Sequence, residues 1–527
     1  MKLVRALGSI GGLTLVSRVL ALVRDALQAR YVGASFASDA FLVAFRLPNM
    51  FRALFAEGAF SAAFIPMFNK RVAEGGGRPA GVDFAERTLA VLLPVLVLFT
   101  AGLMIAAWPL TYALSGGFND PTPAQFAYAV TLSRITVPYL LMISLVSLLG
   151  GILNSLEKYW VNAAAPILLN VAMITGLAFF HGESEYETAR VQALSVTAGG
   201  VLQLIFLIWG CRRAGVVLKL RPPRIDKDIR RLMTQILPVA AGAGATQINL
   251  LVSTALAGAL LAPGAISYIY YADRLNQLPL GLIGIGLGTI LLPTLSRLLS
   301  SDKAEEALEV QNRGIELALF LTLPATVAFL TIAEPIVRGL FEYGAFDAAD
   351  TRATALVLGA FSLGLPAYVL IKVLTPGYYA RHDTKTPVRF AMVAIALNII
   401  GNVSLIPTIG YLGPPLATAF SATVNALLLY RTLKKRGQFA ADAQLKRRLP
   451  RLALAALLMG GALLAARPLV APFMDEPMIV RGLTLAALVA AGVAIYGIAG
   501  FITGAFRLGD LRAIRRGAAQ PLQQDQT

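Results

Sequence analysis

The chain reads as an all-α polytopic membrane protein of fourteen transmembrane helices, arranged as two parallel six-helix repeats around a central cavity, with two extra C-terminal helices. Three observations lead there. Apolar stretches of about 20 residues, long enough as helices to cross a ~30 Å hydrocarbon layer, recur along the 527 residues. The segments between them alternate between strongly basic and acidic or neutral. Sliding the sequence on itself by 227–231 residues lays the first six stretches over the next six.

Composition agrees. The chain is 57% hydrophobic and 14% charged, where a soluble protein carries about 25% charged residues. A net charge of +17 could mean a nucleic-acid partner, but the basic residues cluster between apolar stretches, as membrane topology demands, so nucleic acid is set aside. The single cysteine, Cys211, rules out an internal disulfide, and with only His181 and His382 beside it leaves little for zinc or haem. The first apolar run follows only Lys2 and Arg5 and contains Arg18 and Arg24, so it reads as a retained helix and not as a cleaved signal.

In order, the apolar stretches are 10–31, 36–68, 89–114, 127–153, 161–180, 191–211, 232–261, 266–295, 315–340, 353–379, 388–406, 412–433, 452–470 and 479–506. Basic segments at 69–71, 211–231, 380–389 and 431–448 follow even-numbered stretches, whereas 116–123, 181–188 and 342–350 are acidic or neutral. Both termini are therefore expected on the cytoplasmic side. Residues 301–313, with acids early, predict a short surface helix. The expected organisation is a first lobe at 1–213, a basic cytoplasmic linker at 214–231, a second lobe at 232–436, a final helix pair at 437–506 and a cytoplasmic tail at 507–527.

The repeat matches particular residues. Gly33 and Ala34 fall on Gly264 and Ala265 at an offset of 231, and Pro138 and Asn170 fall on Pro366 and Asn398 at 228. An even number of stretches per half makes the repeat parallel, and transporters of that plan bind substrate between halves that rock. Proline-interrupted stretches mark the site: Arg46, Pro48 and Arg52 in the second, Asp273, Arg274 and Pro279 in the eighth.

An arginine at mid-membrane costs roughly 2.5–3.5 kcal/mol on insertion scales, so several are retained only if they face water or a partner. Arg18, Arg24, Arg46, Arg52, Arg274 and Lys372 lie inside apolar stretches. Ser17 with Arg24, Arg18 with Asp25 and Asp39 with Arg46 are each seven apart, nearly two turns, which places both members on one helix face. A polar cavity accounts for this. Ion pairs between helices, or arginines reaching to the interface, are the alternative.

Arginine matches phosphate with paired hydrogen bonds and stays charged. Arg18, Arg24, Arg52 and Arg274 are the candidate substrate-binding residues, and Ser17, Asp25, Asp39, Arg46, Glu57 and Asp273 the candidate gating or charge partners. No GxxxxGK[ST], HExxH or GxSxG occurs, so no catalytic residue, metal or cofactor is expected; transport would draw on the membrane potential or a monovalent cation. Asn249, Asn398, Asn402 and Thr418 could hold such a cation or simply hydrogen-bond helices together. The last two stretches serve either as lipid-facing supports or as a groove for a long hydrocarbon.

The runs SRVLALVRD (17–25), SDAFLVAFRLPNMFRALFAEGAFSAAFIP (38–66) and YADRLNQLPLGLIGIGLGTILLP (271–293) resemble the MurJ (MviN) family of lipid II flippases in the MOP exporter superfamily. The resemblance implies movement of undecaprenyl-pyrophosphate-linked peptidoglycan precursor from the cytoplasmic to the periplasmic leaflet of the bacterial inner membrane, with no covalent change. On it, the four arginines engage pyrophosphate and head group, Asp39 and Glu57 form gating pairs, and the final helix pair holds the undecaprenyl tail. Partners would be lipid II, membrane lipids and wall-synthesis enzymes. Asparagines stand where some relatives use acidic residues for sodium. Two other readings are export of another polyprenyl-linked saccharide or a drug, and a non-transporting scaffold that recruits wall-synthesis enzymes.

Overall fold

The structure, a computed structural model, describes residues 2–55 and 59–505; Glu57 and the tail at 507–527 lie outside the described residues. Those described form helices and connecting turns with no strand. In chain order the helices are α1 (Lys2–Val32), α2 (Phe36–Phe55), α3 (Ala59–Arg71), α4 (Gly77–Ile105), α5 (Ala107–Ser115), α6 (Pro123–Thr136), α7 (Pro138–Ser155), α8 (Tyr159–Phe179) and α9 (Glu185–Arg213). There follow α10 (Lys227–Leu260), α11 (Ala265–Ser300), α12 (Ala304–Phe341), α13 (Ala348–Ser362), α14 (Leu365–Tyr379), α15 (Lys385–Ile409), α16 (Gly413–Lys435), α17 (Ala443–Val470) and α18 (Met478–Ile502). Among the described residues, nine helical stretches are long and apolar enough to cross a membrane. The protein is an all-helical polytopic membrane protein.

Local chemistry sets the helix ends. Thr122 makes a capping box with Gln125 at α6, Ser184 accepts from the Glu187 N–H at α9, Asp226 from Ile229 at α10 and Asp442 from Leu445 at α17. Pro138 separates α6 from α7, since proline offers no N–H and restricts the residue before it. A kink at Ile332 precedes Pro335 in α12 for the same reason. The expected surface helix at 301–313 is instead the first turns of α12, which runs on without a break into the apolar stretch.

The chain divides into two compact units. Unit 1 comprises Met1–Tyr270, Phe341–Asp350 and Asn402–Tyr411; unit 2 comprises Tyr271–Leu340, Thr351–Gly401 and Leu412–Thr527. Lipid is as apolar as leucine, so packing and internal hydrogen bonds hold such helices together more than burial does. In unit 1, α8 packs on both α1 and α9, with Gly176 against Ser195 and Gly199 against Leu169. Phe41, Phe64, Phe68, Phe84 and Tyr139 fill its interior. In unit 2, Leu291, Ile315, Val373, Leu429 and Leu433 surround Tyr378, whose hydroxyl donates to the Leu429 carbonyl at 2.7 Å.

Glycines close one end of unit 1. Gly264, at φ +93°, brings the α10–α11 turn so near the α1–α2 turn that an added Cβ would stand 2.4 Å from the Ala34 carbonyl oxygen. Gly344 sits as tightly on Arg30, whose carbonyl accepts the Ala345 N–H at 2.8 Å. The two turns that the repeat aligns, at 33–34 and 264–265, thus meet in space.

Candidate functional site

Arg24 is almost fully buried in the C-terminal third of α1, at 5% exposure, with Asp25 at 1%. Its Nε and Nη2 both donate to Asp25 Oδ1, at 3.0 and 2.7 Å. Nη1 donates to Asn170 Oδ1 on α8 at 3.0 Å, and Nη2 also donates to the Tyr270 hydroxyl at 3.2 Å. That hydroxyl donates in turn to Asp25 Oδ1 at 3.1 Å. Asn170 spends its amide on α1, donating to the Ser17 carbonyl at 3.0 Å and lying 3.4 Å from Ser17 Oγ. Ser17, Arg24 and Asp25 therefore meet in one polar cluster that ties α1, α8 and the start of α11 together. A buried guanidinium is tolerable only when paired and hydrogen-bonded to this degree.

Asp39, in the first turn of α2, is 2% exposed. Its Oδ2 accepts the Gly264 N–H at 2.7 Å; its Oδ1 accepts the Ser267 N–H at 2.8 Å and the Ser267 hydroxyl at 2.6 Å. The carboxylate thus caps α11, whose first N–H groups have no partner within their own helix. Beside it the Tyr268 hydroxyl donates to Asp350 at 2.8 Å.

The other expected residues are more scattered. Arg18 is exposed on α1. Arg46, half-buried, donates to Thr254 Oγ1 at 2.8 Å, and Arg52 to Asn49 Oδ1 at 3.0 Å. Asp273 and Arg274 belong to unit 2, where Arg274 is half-buried and Asp273 accepts from the Gln277 amide. Of the four candidate cation ligands, Asn398 and Thr418 are joined at 3.1 Å, Asn402 donates to Ser253 Oγ at 3.1 Å, and Asn249 Oδ1 is buried with no donor among the described residues. Asn170, Tyr270, Thr254 and Ser267 were not among the candidates. Only Asn170 carried a signal, as the repeat partner of Asn398.

Residues 28–482 match the family model described as lipid II flippase MurJ. The chain belongs to the MurJ family. A Rhizobium meliloti (strain 1021) protein described as a probable lipid II flippase MurJ is 41% identical, over 98% of this chain and 97% of its own. A Burkholderia cenocepacia (strain J2315) relative described as a lipid II flippase MurJ is 37% identical over 88% and 89%. A solved MurJ structure in an inward closed conformation superposes with a TM-score of 0.75, covering 94% of this chain and 98% of that one; at 24% identity it bears on the fold alone. The same holds for an inward-facing multidrug-resistance transporter of the MATE family in the MOP superfamily, with TM-score 0.61 and 15% identity over 80% of this chain and 94% of that one. MurJ proteins are transporters, and this member is a multi-pass bacterial membrane protein.

Proposed function

We propose that this MurJ-family protein flips lipid II, carrying the undecaprenyl-pyrophosphate-linked precursor from the cytoplasmic to the periplasmic leaflet of the inner membrane by alternating access. Fourteen spans, two parallel six-helix repeats and cytoplasmic termini accompany that reading. So do a tail groove along α17 and α18 and a driving force taken from the membrane potential or a monovalent cation. The observation that carries it is the buried Arg24, held in an apolar helix by Asp25, Asn170 and Tyr270. In this state its fork is occupied by Asp25. Pyrophosphate can compete with that carboxylate, because it offers the guanidinium several acceptor oxygens where Asp25 offers one, and carries more charge. Arg18, Arg52 and Arg274 are the other proposed substrate-binding residues. Asp39 is proposed as a gating residue, and no bond of the precursor changes. The test is rescue of a strain depleted of its own lipid II flippase, read as growth together with lipid II accessible on the outer leaflet. Growth without restored accessibility would contradict the proposal.

A further inference from the structure

A cavity of about 300 Å3 opens in unit 1 far from Arg24 in the chain, between α4, α7, α9 and the linker that follows α9. Its walls are apolar: Leu148, Leu149, Leu204, Ile208 and Cys211 from the helices, Val216 and Leu218 from the linker. The linker is pinned there. Gly215, at φ +73°, turns the chain back so that the Val216 N–H reaches the Cys211 carbonyl at 2.8 Å. The Lys219 N–H then donates to the buried Glu86 at 3.0 Å, and Arg221 pairs with Glu86 at 2.5 Å and with Asp83 at 2.6 Å. Those bonds engage Glu86 and Asp83. Arg212, which lines the cavity, and Lys219 have no side-chain partner among the described residues and are exposed.

Two further features are those of a membrane–water boundary. On the outer face of α8 and α9, Trp160, Phe206 and Trp209 form a ring cluster with Arg213 over Trp209, the aromatic and basic belt of a membrane–water boundary. Two of the residues that line the cavity, Val217 and Leu220, are 60% and 73% exposed, apolar side chains interleaved with basic ones. We propose that the cavity takes one acyl chain of an anionic phospholipid whose headgroup phosphate is held by Arg212 and Lys219. The chain tip suits a dry apolar pocket, and the two unpaired cations at head-group height supply the charge selectivity. The site is independent of the lipid II reading.

The test is native mass spectrometry of the purified full-length protein, titrated with palmitoyl-oleoyl phosphatidylglycerol or the matching phosphatidylcholine. Three variants that retain the wild-type elution volume and melting temperature are compared: Arg212→Ala, Lys219→Ala and the cavity-filling Ile208→Trp. Phosphatidylglycerol is expected to bind in preference to phosphatidylcholine, with a loss of about fivefold for each basic residue removed and loss of the preference in Ile208→Trp. Equal binding of the two lipids by the wild-type protein would overturn the proposal. So would phosphatidylglycerol binding unchanged in Ile208→Trp, since the chain would then lie elsewhere.

Discussion

Asp39 reaches across from α2 to grip Ser267 twice, through the backbone N–H at 2.8 Å and the hydroxyl at 2.6 Å, and so caps a helix other than its own. Removing the carboxylate leaves buried donors on Gly264 and Ser267 unsatisfied, at about 1–3 kcal/mol for such a group. Asp39→Ala is expected to lower the melting temperature of the purified protein and to speed hydrogen exchange at residues 264–267. Asp39→Asn, which keeps one acceptor oxygen, should show a smaller change in both.

Close backbone approach at the same seam makes a second prediction. Gly264→Ala places a Cβ 2.4 Å from the Ala34 oxygen at a positive φ, and should destabilise by more than about 1 kcal/mol. Gly497→Ala, in α18 with nothing within 4 Å of the new methyl, should be neutral or stabilising. Melting curves of the two variants, measured in one detergent, make the comparison.

Asn170 should matter for transport through Arg24. In Asn170→Ala, Arg24 Nη1 loses its bond to Asn170 Oδ1 and Ser17 the amide that donates to it, so lipid II accessibility on the outer leaflet should fall several-fold at normal protein levels. Tyr270→Phe removes one hydroxyl shared by Arg24 and Asp25 and costs about 1 kcal/mol. Its transport defect should be the milder of the two, and the reverse order would mean that Asn170 is not what positions Arg24.

A pH dependence is expected outside the membrane spans. The carboxyl of Asp383 is lowered to about 2 by the Thr386 hydroxyl, by Arg436 and by the Thr386 N–H. A depressed carboxylate stabilises above its unfolded value near 4, and that contribution disappears as pH falls through about 2. The wild-type protein should therefore melt higher than Asp383→Asn at pH 7, and the gap should close between about pH 4 and pH 2.

Length and hydropathy located the helical stretches well because a spanning helix must be apolar over about 20 residues, whatever it packs against. Breaks inside them, at Ala106 and Val137, lie just before Pro109 and Pro138 and do not show in length and hydropathy alone. The site was legible in part. The cost of burying arginine in an apolar helix marked Arg24 as one of six intramembrane cations, and spacing set Asp25 beside Arg18, whereas Asp25 pairs with Arg24. Seven-residue spacing describes one helix only, so it set Asp39 beside Arg46, whereas Asp39 binds Gly264 and Ser267 and Arg46 binds Thr254. Partners 200 residues or more away in the chain, such as Tyr270 for Arg24, leave no trace in local spacing. Asn170 was visible as a polar residue repeated at Asn398, but the repeat alone could not say that it binds an arginine.

The measurement that bears most directly on the central claim replaces Arg24 and Arg274 singly with alanine in cells depleted of the native protein, and follows growth together with the fraction of lipid II on the outer leaflet. Variants inserted at normal levels should stop growth while lipid II accumulates on the cytoplasmic side. Normal growth with a normal lipid II distribution would contradict the assignment of these arginines to the transport site.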